Sequence, residues 1–218
     1  PFIATGRSSA ETRDIMESAN IHSGIFMNGQ VVLYQGKRVY SSEIPTETVK
    51  KFHQMVKEDG YGFTAYNDKE FYLVESTDGA KDAYGFIHTN PPALNADFYI
   101  DNPINMLLFI SLSPAEEKYK EAFPNLDFLR NTPYSVDVIS KGNSKAEGIK
   151  RFLEYLNQED AETYAFGDGP NDIEMLQAVT HPVAMGNAIP VLKEIAEFIT
   201  TDNTDNGIIN GLKHYGLI

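Results

Sequence analysis

The 218 residues contain no cysteine. This absence excludes a disulfide framework, a thiolate zinc site and a thiol nucleophile. No apolar run approaches the roughly 20 residues that a membrane helix needs, so we expect no membrane partner. Basic residues are scarce, with 18 Lys and Arg against 31 Asp and Glu and a formal net charge of −13. Nucleic-acid binding relies on Lys and Arg that neutralise phosphates, so we expect no nucleic-acid partner either.

The remaining composition is that of an ordinary globular protein, with 42% hydrophobic and 22% charged residues. The length corresponds to one large domain or two small ones. No signal peptide is visible, and we expect a cytoplasmic location. The negative charge still allows a small phosphorylated metabolite as a partner, because such a ligand needs only one local positive site.

The most informative stretch runs from Ala165 to Leu176 and reads AFGDGPNDIEML. A strand-like run, Thr163 to Phe166, precedes its acidic turn, and a helix-like run, Ile173 to Ala178, follows. Ligands gather at the carboxyl ends of parallel strands. Asp168 and Asp172 are hard oxygen donors that one turn can direct at a cation such as Mg²⁺. The alternative is a polar turn in which an Asp or Asn caps a helix.

Three other motifs stand in a fixed order along the chain. Ile3 to Arg7 reads IATGR, Asn28-Gly29 follows, and Lys141 to Lys145 reads KGNSK. With the acidic turn, they resemble the haloacid dehalogenase (HAD) superfamily, in particular its Cof-type sugar-phosphatase-like branch. In this resemblance Thr5 matches the second motif of the family, Lys145 the third, and the turn 167–172 the fourth.

The resemblance implies an α/β fold, with a Rossmann-like parallel-sheet HAD core and an inserted α+β cap domain of the C2 type. It implies a Mg²⁺-dependent phosphatase that hydrolyses small phosphomonoesters, such as sugar phosphates, through an aspartyl-phosphate intermediate. The nucleophile of the family lies in a first motif, Asp-x-Asp-Gly-Thr, which is absent from these residues. We therefore expect a natural protein longer by at least one βαβ unit, roughly 30 residues. We expect a chain that truly starts at Pro1 to be inactive and poorly folded.

The secondary-structure pattern indicates where the cap is inserted. Alternating helices and strands give way to hairpins near Val31, and the alternation returns near Val138. We predict a core of residues 1–34 and 137–218 and a cap of residues 35–136. Two hinges are expected to let the cap open and close.

Each candidate site residue has a predicted role and an alternative. Thr5, with Gly6 and Arg7, can hold phosphate oxygens at a strand-to-helix turn, whereas Thr5 could instead cap a helix and Arg7 could be a solvated surface residue. Lys145 can supply a positive charge to a phosphate and to a carboxylate nucleophile. Lys141 is the competing lysine, and the family pattern favours Lys145.

In the acidic turn, Asp168 is the first candidate for a metal ligand. Asp172 is the second candidate, and it could bind the ion through a water or orient Lys145. Asn171 could bind phosphate or a metal-bound water.

Several local predictions accompany these roles. Ser8 or Ser9 is expected to cap a helix after Arg7, and Asn187 to cap a helix that extends to Phe198. Gly60 should end a helix, Ser113 to Glu116 should begin one, and Ser144 to Glu147 fits a capping box at the start of another. Gln35-Gly36 should form a hairpin turn, and residues 80–103 should be less regular.

Two alternative functions are left open by the sequence. One is a phosphomutase of the same superfamily, which returns the phosphoryl group to substrate. The other is a catalytically inactive binding or regulatory protein. The sequence makes no prediction of the oligomeric state.

Overall fold

The computed structural model describes residues 1–112 and 114–218. The chain forms two compact units, Pro1–Asn143 and Ser144–Ile218. Ser113, the first residue of one predicted helix start, lies outside the described residues. Over the described ranges, the structure contains no helix with the length and apolar character needed to cross a bilayer.

The first unit begins with a four-stranded sheet in the order β1-β2-β3-β4. Strands β1 and β2 are parallel, and β3 and β4 add to them as an antiparallel hairpin. Gln35 and Gly36 form the hairpin turn with φ angles of 49° and 74°, the left-handed conformation that tight hairpins require. The predicted hairpin is therefore confirmed. The strands are β1 (Ile3–Ala4), β2 (Gly24–Phe26), β3 (Val31–Tyr34) and β4 (Lys37–Ser41).

The same unit contains a five-stranded antiparallel sheet in the order β6-β5-β7-β9-β8. Its central strand is apolar throughout, because both faces of the sheet are buried. Leu107 and Phe109 pack into a cluster with helix residues such as Phe52, whereas Met106 and Leu108 pack into a second cluster. The strands are β5 (Gly62–Tyr66), β6 (Phe71–Glu75), β7 (Met106–Ile110), β8 (Leu126–Thr132) and β9 (Ser135–Ser140).

The helices of the first unit agree with the predictions except at two places. The predicted helix stop is confirmed, because Gly60 ends α2 with a φ of 73°. The stretch 80–103, predicted to be less regular, contains two short helices that the prediction did not include. The helices are α1 (Arg13–Ser18), α2 (Thr46–Asp59), α3 (Ala80–Phe86), α4 (Phe98–Asp101) and α5 (Glu116–Ala122).

The start of α1 is the second correction. Neither Ser8 nor Ser9 caps α1, because the cap position of that helix is Thr12. Ser8 Oγ accepts the N–H of Glu11 at 3.3 Å, as a cap residue does, but this bond closes a turn that precedes the helix. The Ser8 hydroxyl donates to the Glu11 carboxylate at 2.8 Å, and the Ser9 hydroxyl donates to the carbonyl of Asp68. Residues 8–12 therefore form an irregular turn, and the helix begins only at Arg13.

The second unit alternates helices and strands around a three-stranded parallel sheet in the order β10-β11-β12. Ser144 caps its first helix, as predicted, by accepting the N–H of Glu147 at 3.2 Å. Phe198, expected in a helix, instead lies in strand β12. The elements are α6 (Lys145–Leu156), β10 (Tyr164–Gly167), α7 (Ile173–Ala178), β11 (His181–Ala184), α8 (Pro190–Ile195), β12 (Phe198–Ile199) and α9 (Gly207–His214).

The predicted α/β class is confirmed by these elements. Parallel strands with helices stand at both ends of the chain, and an antiparallel α+β segment lies between them in the sequence. The division into a core of 1–34 and 137–218 and a cap of 35–136 stays a prediction. Strand β9 runs across the predicted end of the cap, because it contains residues on both sides of the boundary between 136 and 137.

Candidate active site

The acidic turn of the second unit is closed by one of its own side chains. Strand β10 ends at Gly167, and a 3₁₀ turn, Pro170–Asp172, leads into α7. Asp172 Oδ2 accepts the backbone N–H groups of Asp168 at 2.9 Å and Gly169 at 3.0 Å. A Cβ atom at Gly167 would lie 2.7 Å from the Asp172 Cβ, so the carboxylate folds back over a position that only glycine fits.

Lys145 forms a buried ion pair with the same aspartate. Its Nζ donates to Asp172 Oδ1 at 2.6 Å, and both residues are only 5% exposed. Lys145 is the first residue of α6, where a positive charge opposes the helix dipole. The Asp172 carboxylate supplies the compensating negative charge. Lys141, the competing lysine, is exposed, and its Nζ donates to the carbonyl of Pro124 at 3.4 Å.

Asp168 differs from Asp172 in having an exposed carboxylate. Its Oδ2 accepts from Asn187 Nδ2 at 2.8 Å, and no described residue donates to its Oδ1. The Asn187 Oδ1 accepts the N–H of Asn203 at 3.1 Å, which fixes the orientation of the amide.

The prediction that Asn187 caps a helix is therefore wrong. The helix in question begins at Pro190, with Ile189 as its cap residue. The sequence nevertheless contained a signal that Asn187 lies near Asp168. Asn187 follows β11, which neighbours β10 in a parallel sheet, so both strands end at the same sheet edge.

The donor set decides which residue fits a metal. Mg²⁺ in proteins is bound through one or two carboxylates, with the remaining positions filled by water and substrate phosphate. Asp168 fits that pattern, whereas three protein donors already hold the Asp172 carboxylate. The described residues include no group of three or more His, Cys, Asp or Glu that could enclose an ion by themselves. Asn171 is exposed and lies beside Gly169.

The other predicted site residues form a turn in the first unit. Thr5 to Arg7 follow the carboxyl end of β1, and Thr5 Oγ1 accepts the N–H of Arg7 at 3.1 Å. In the described part of the chain, the N–H of Gly6 and the guanidinium of Arg7 have no hydrogen-bond partner. The turn thus offers a hydroxyl, a backbone N–H and an exposed cation, which are groups that bind phosphate oxygens.

The fold and these two turns are those of an α/β enzyme that acts on phosphorylated compounds. Comparison with known proteins identifies the family. The model of the haloacid dehalogenase-like hydrolases matches residues 1–212. A Bacillus subtilis (strain 168) protein described as "Putative phosphatase YkrA" is 37% identical over 219 residues, which cover 100% of this chain and 84% of that protein.

Two solved structures show the same relationship. A hypothetical protein from Geobacillus kaustophilus HTA426 has a TM-score of 0.93 at 31% identity, over 100% of this chain and 85% of the other. BT4131, described as a HAD subclass IIB sugar phosphatase, has a TM-score of 0.84 at 27% identity, with the same coverage. The chain belongs to the haloacid dehalogenase-like hydrolases and is a phosphoric monoester hydrolase of the HAD type, as the sequence resemblance implied.

Proposed function

We propose that this phosphatase hydrolyses small phosphomonoesters, such as sugar phosphates, with Mg²⁺ as its cofactor and an aspartyl phosphate as its intermediate. The observation that carries the proposal is the acidic turn, in which a buried Lys145–Asp172 pair lies beside the exposed carboxylate of Asp168. The similarity to a sugar phosphatase over the whole chain supports the substrate class. A small phosphorylated metabolite is the proposed partner, and a cytoplasmic location stays a prediction.

Lys145 is proposed to bind the phosphoryl group. An ammonium group has three N–H donors, and Asp172 accepts from one of them. The remaining donors and the positive charge can stabilise phosphate oxygens, which carry most of the charge in phosphoryl transfer. Asp172 then orients Lys145 and closes the turn, and this role fits its contacts better than direct metal binding.

Asp168 is proposed as the residue of this chain that holds Mg²⁺, with Asn187 orienting its carboxylate. When bound, the ion would neutralise negative charge on the phosphoryl oxygens. Asn171, three residues after Asp168, is proposed to bind phosphate or a water of the ion. Two aspartates from one turn were predicted as metal ligands, and the proposal keeps Asp168 as the direct one.

Thr5, Gly6 and Arg7 are proposed to hold phosphate oxygens through a hydroxyl, a backbone N–H and a guanidinium. The absence of protein partners for two of these donors in the described residues supports that role. Arg7 is long and exposed, so its planar fork could also contact the leaving group.

The intermediate is proposed from the family resemblance. An aspartate oxygen would attack phosphorus, the P–O bond to the leaving group would break, and the leaving oxygen would take a proton from a second aspartate. Water would then give a proton to the second aspartate and attack phosphorus, and the bond between phosphorus and the first aspartate would break, releasing inorganic phosphate. The Asp-x-Asp-Gly-Thr motif that carries the nucleophile in the family does not occur between Pro1 and Ile218.

A substrate panel with a Mg²⁺ titration tests the proposal. We expect the native gene product to release phosphate from sugar phosphates in a Mg²⁺-dependent manner. The Asp168→Asn variant should lower turnover and weaken Mg²⁺ binding in isothermal titration. Asp205→Asn is a matched control, since it removes an exposed carboxylate of the same unit. Unchanged Mg²⁺-dependent turnover in Asp168→Asn would refute the metal assignment.

A further inference from the structure

The segment that follows β2 has an unusual backbone. Met27, Asn28 and Gly29 have φ angles of 51°, 53° and 91°, so three consecutive residues lie in the left-handed region. Glycine adopts this region freely and asparagine tolerates it, but methionine does so at a cost. Met27 and Asn28 are 0% and 2% exposed. Such strained residues persist only where their surroundings hold them, and they concentrate at functional sites.

Strand β2 and the left-handed turn that follows it hold the Thr5–Arg7 turn by three backbone hydrogen bonds, two of which come from the left-handed turn. The N–H of Thr5 donates to the carbonyl of Ile25 at 2.9 Å. The N–H of Asn28 donates to the carbonyl of Thr5 at 3.1 Å, and the N–H of Met27 donates to the carbonyl of Arg7 at 3.0 Å. The position of the proposed phosphate-binding turn therefore depends on the conformation of residues 27–29.

The carboxylate of Asp137, from the five-stranded sheet, holds the left-handed turn in position. Asp137 lies in β9 at 6% exposure, two residues before Ile139, which belongs to the same apolar cluster as Met27. A carboxylate on a buried face is costly unless it is hydrogen-bonded. Asn28 Nδ2 donates to Asp137 Oδ2 at 3.0 Å.

Gly6 brings the proposed phosphate-binding turn into direct contact with this pair. A Cβ atom at Gly6 would lie 3.3 Å from both amide atoms of Asn28 and 3.4 Å from Asp137 Oδ2. The pair therefore forms the surface against which the backbone of Gly6 rests.

We infer that Asn28 and Asp137 are positioning residues for phosphate binding. This inference rests on the function proposed above and adds two residues to the proposed phosphate-binding site. Asp137 fixes the Asn28 amide, the amide stabilises the left-handed turn, and that turn fixes the backbone and side-chain donors of Thr5 to Arg7. Asp137 contributes no donor to the phosphate, and its carboxylate acts through Asn28.

Exchanging the two side chains tests the inference. Asn28→Asp alone places a second carboxylate about 3 Å from Asp137, and the two repel each other. We expect KM for a phosphomonoester and Ki for inorganic phosphate to rise by about 10- to 100-fold, since small misplacements of binding groups have effects of that size. Asn28→Asp combined with Asp137→Asn restores one amide and one carboxylate, and both constants should return towards their wild-type values.

Gly6→Ala is a second variant that keeps both polar side chains. Its methyl group would press on the pair without changing any charge, and we expect the same direction of change in KM and Ki. Tyr119→Phe is the control, because it removes a Tyr–carboxylate bond to Asp59 of 2.9 Å elsewhere in the same unit. It should lower the midpoint of urea unfolding without changing either constant.

The outcomes separate this inference from the function on which it rests. An active wild type with unchanged KM and Ki in Asn28→Asp would overturn the inference alone. The inference would also be overturned if Asn28→Asp combined with Asp137→Asn recovered the wild-type unfolding midpoint but neither the wild-type KM nor the wild-type Ki. A wild type that neither hydrolyses phosphomonoesters nor binds phosphate would overturn the proposed function, and the inference with it.

Discussion

The acidic turn of the second unit and the Thr5–Arg7 turn of the first are held in opposite ways. Asp172 closes the acidic turn through N–H groups three and four residues before it, and Lys145 is 27 residues away. The Thr5–Arg7 turn instead depends on Asn28, whose side chain is held by Asp137, 109 residues further along the chain. One turn is determined locally, and the other is determined by tertiary structure.

This difference has a consequence for the two proposed halves of the chemistry. The locally closed turn keeps its shape when distant parts of the fold change, because its own glycine and aspartate define it. The other turn depends on a strand of the antiparallel sheet, so substitutions in that sheet can alter phosphate binding without touching Thr5 or Arg7. Substitutions that break the contacts holding one turn should therefore have different effects from substitutions that break those holding the other.

The largest effect on stability is expected from Asp172→Ala. This variant leaves the buried ammonium of Lys145 without a negative partner and releases two backbone N–H groups. Breaking a buried ion pair in this way costs about 3–5 kcal/mol of unfolding free energy. Urea denaturation measures the loss. A change below about 1 kcal/mol, the range of exposed pairs, would show that the pair is not a buried one.

A smaller loss of stability is expected from Gly167→Ala. The added Cβ would lie 2.7 Å from the Asp172 Cβ, so the carboxylate or the strand must shift. Overpacking of this kind costs about 1–3 kcal/mol. Gly85→Ala is the matched control, because nothing lies within 4 Å of a Cβ at that position. Equal unfolding midpoints for the two variants would contradict the close approach.

The same distinction explains what could be predicted from the sequence. The acidic turn, helix α7 and the Ser144 cap depend on residues within a few positions of one another, and all three were predicted. The hairpin turn at Gln35-Gly36 and the helix stop at Gly60 have local signals as well. Local chemistry was sufficient at each of these positions.

The features that were missed depend on distant partners. Ser9 was a predicted cap residue, but its hydroxyl donates to the carbonyl of Asp68, 59 residues away. Asn187 binds Asp168 across two neighbouring strands, so a side chain that resembles a cap has another role. The contact of Asn28 with Asp137 has no local signal, because no spacing rule relates the two residues.

The smallest expected effect on stability concerns a charged pair that lies in neither turn. Arg130 holds Glu116 with two hydrogen bonds, from Nε at 2.7 Å and from an Nη at 2.5 Å. These bonds lower the pKa of Glu116 below its ordinary value. A carboxyl group with a lowered folded-state pKa stabilises the protein above its unfolded-state pKa, and this contribution is lost as the pH falls through the folded-state pKa.

We therefore expect the stability difference between wild type and Glu116→Gln to be greatest near neutral pH. It should shrink below about pH 4, as the carboxyl group takes up a proton. Unfolding free energies measured across this range check the prediction. Glu117→Gln serves as the control, because its pair with Lys120 is exposed. A difference that grows on acidification would contradict the assignment.

The central claim is that Lys145, held by Asp172, binds the phosphoryl group, and phosphate release by two lysine variants tests it most directly. Lys145→Ala should lower kcat/KM for a phosphomonoester by about 10²–10³-fold, the loss seen when one donor to developing charge is removed. Lys141→Ala removes the competing lysine, which is exposed, and should leave kcat/KM unchanged. The reverse pattern, or equal activity in both variants, would contradict the claim.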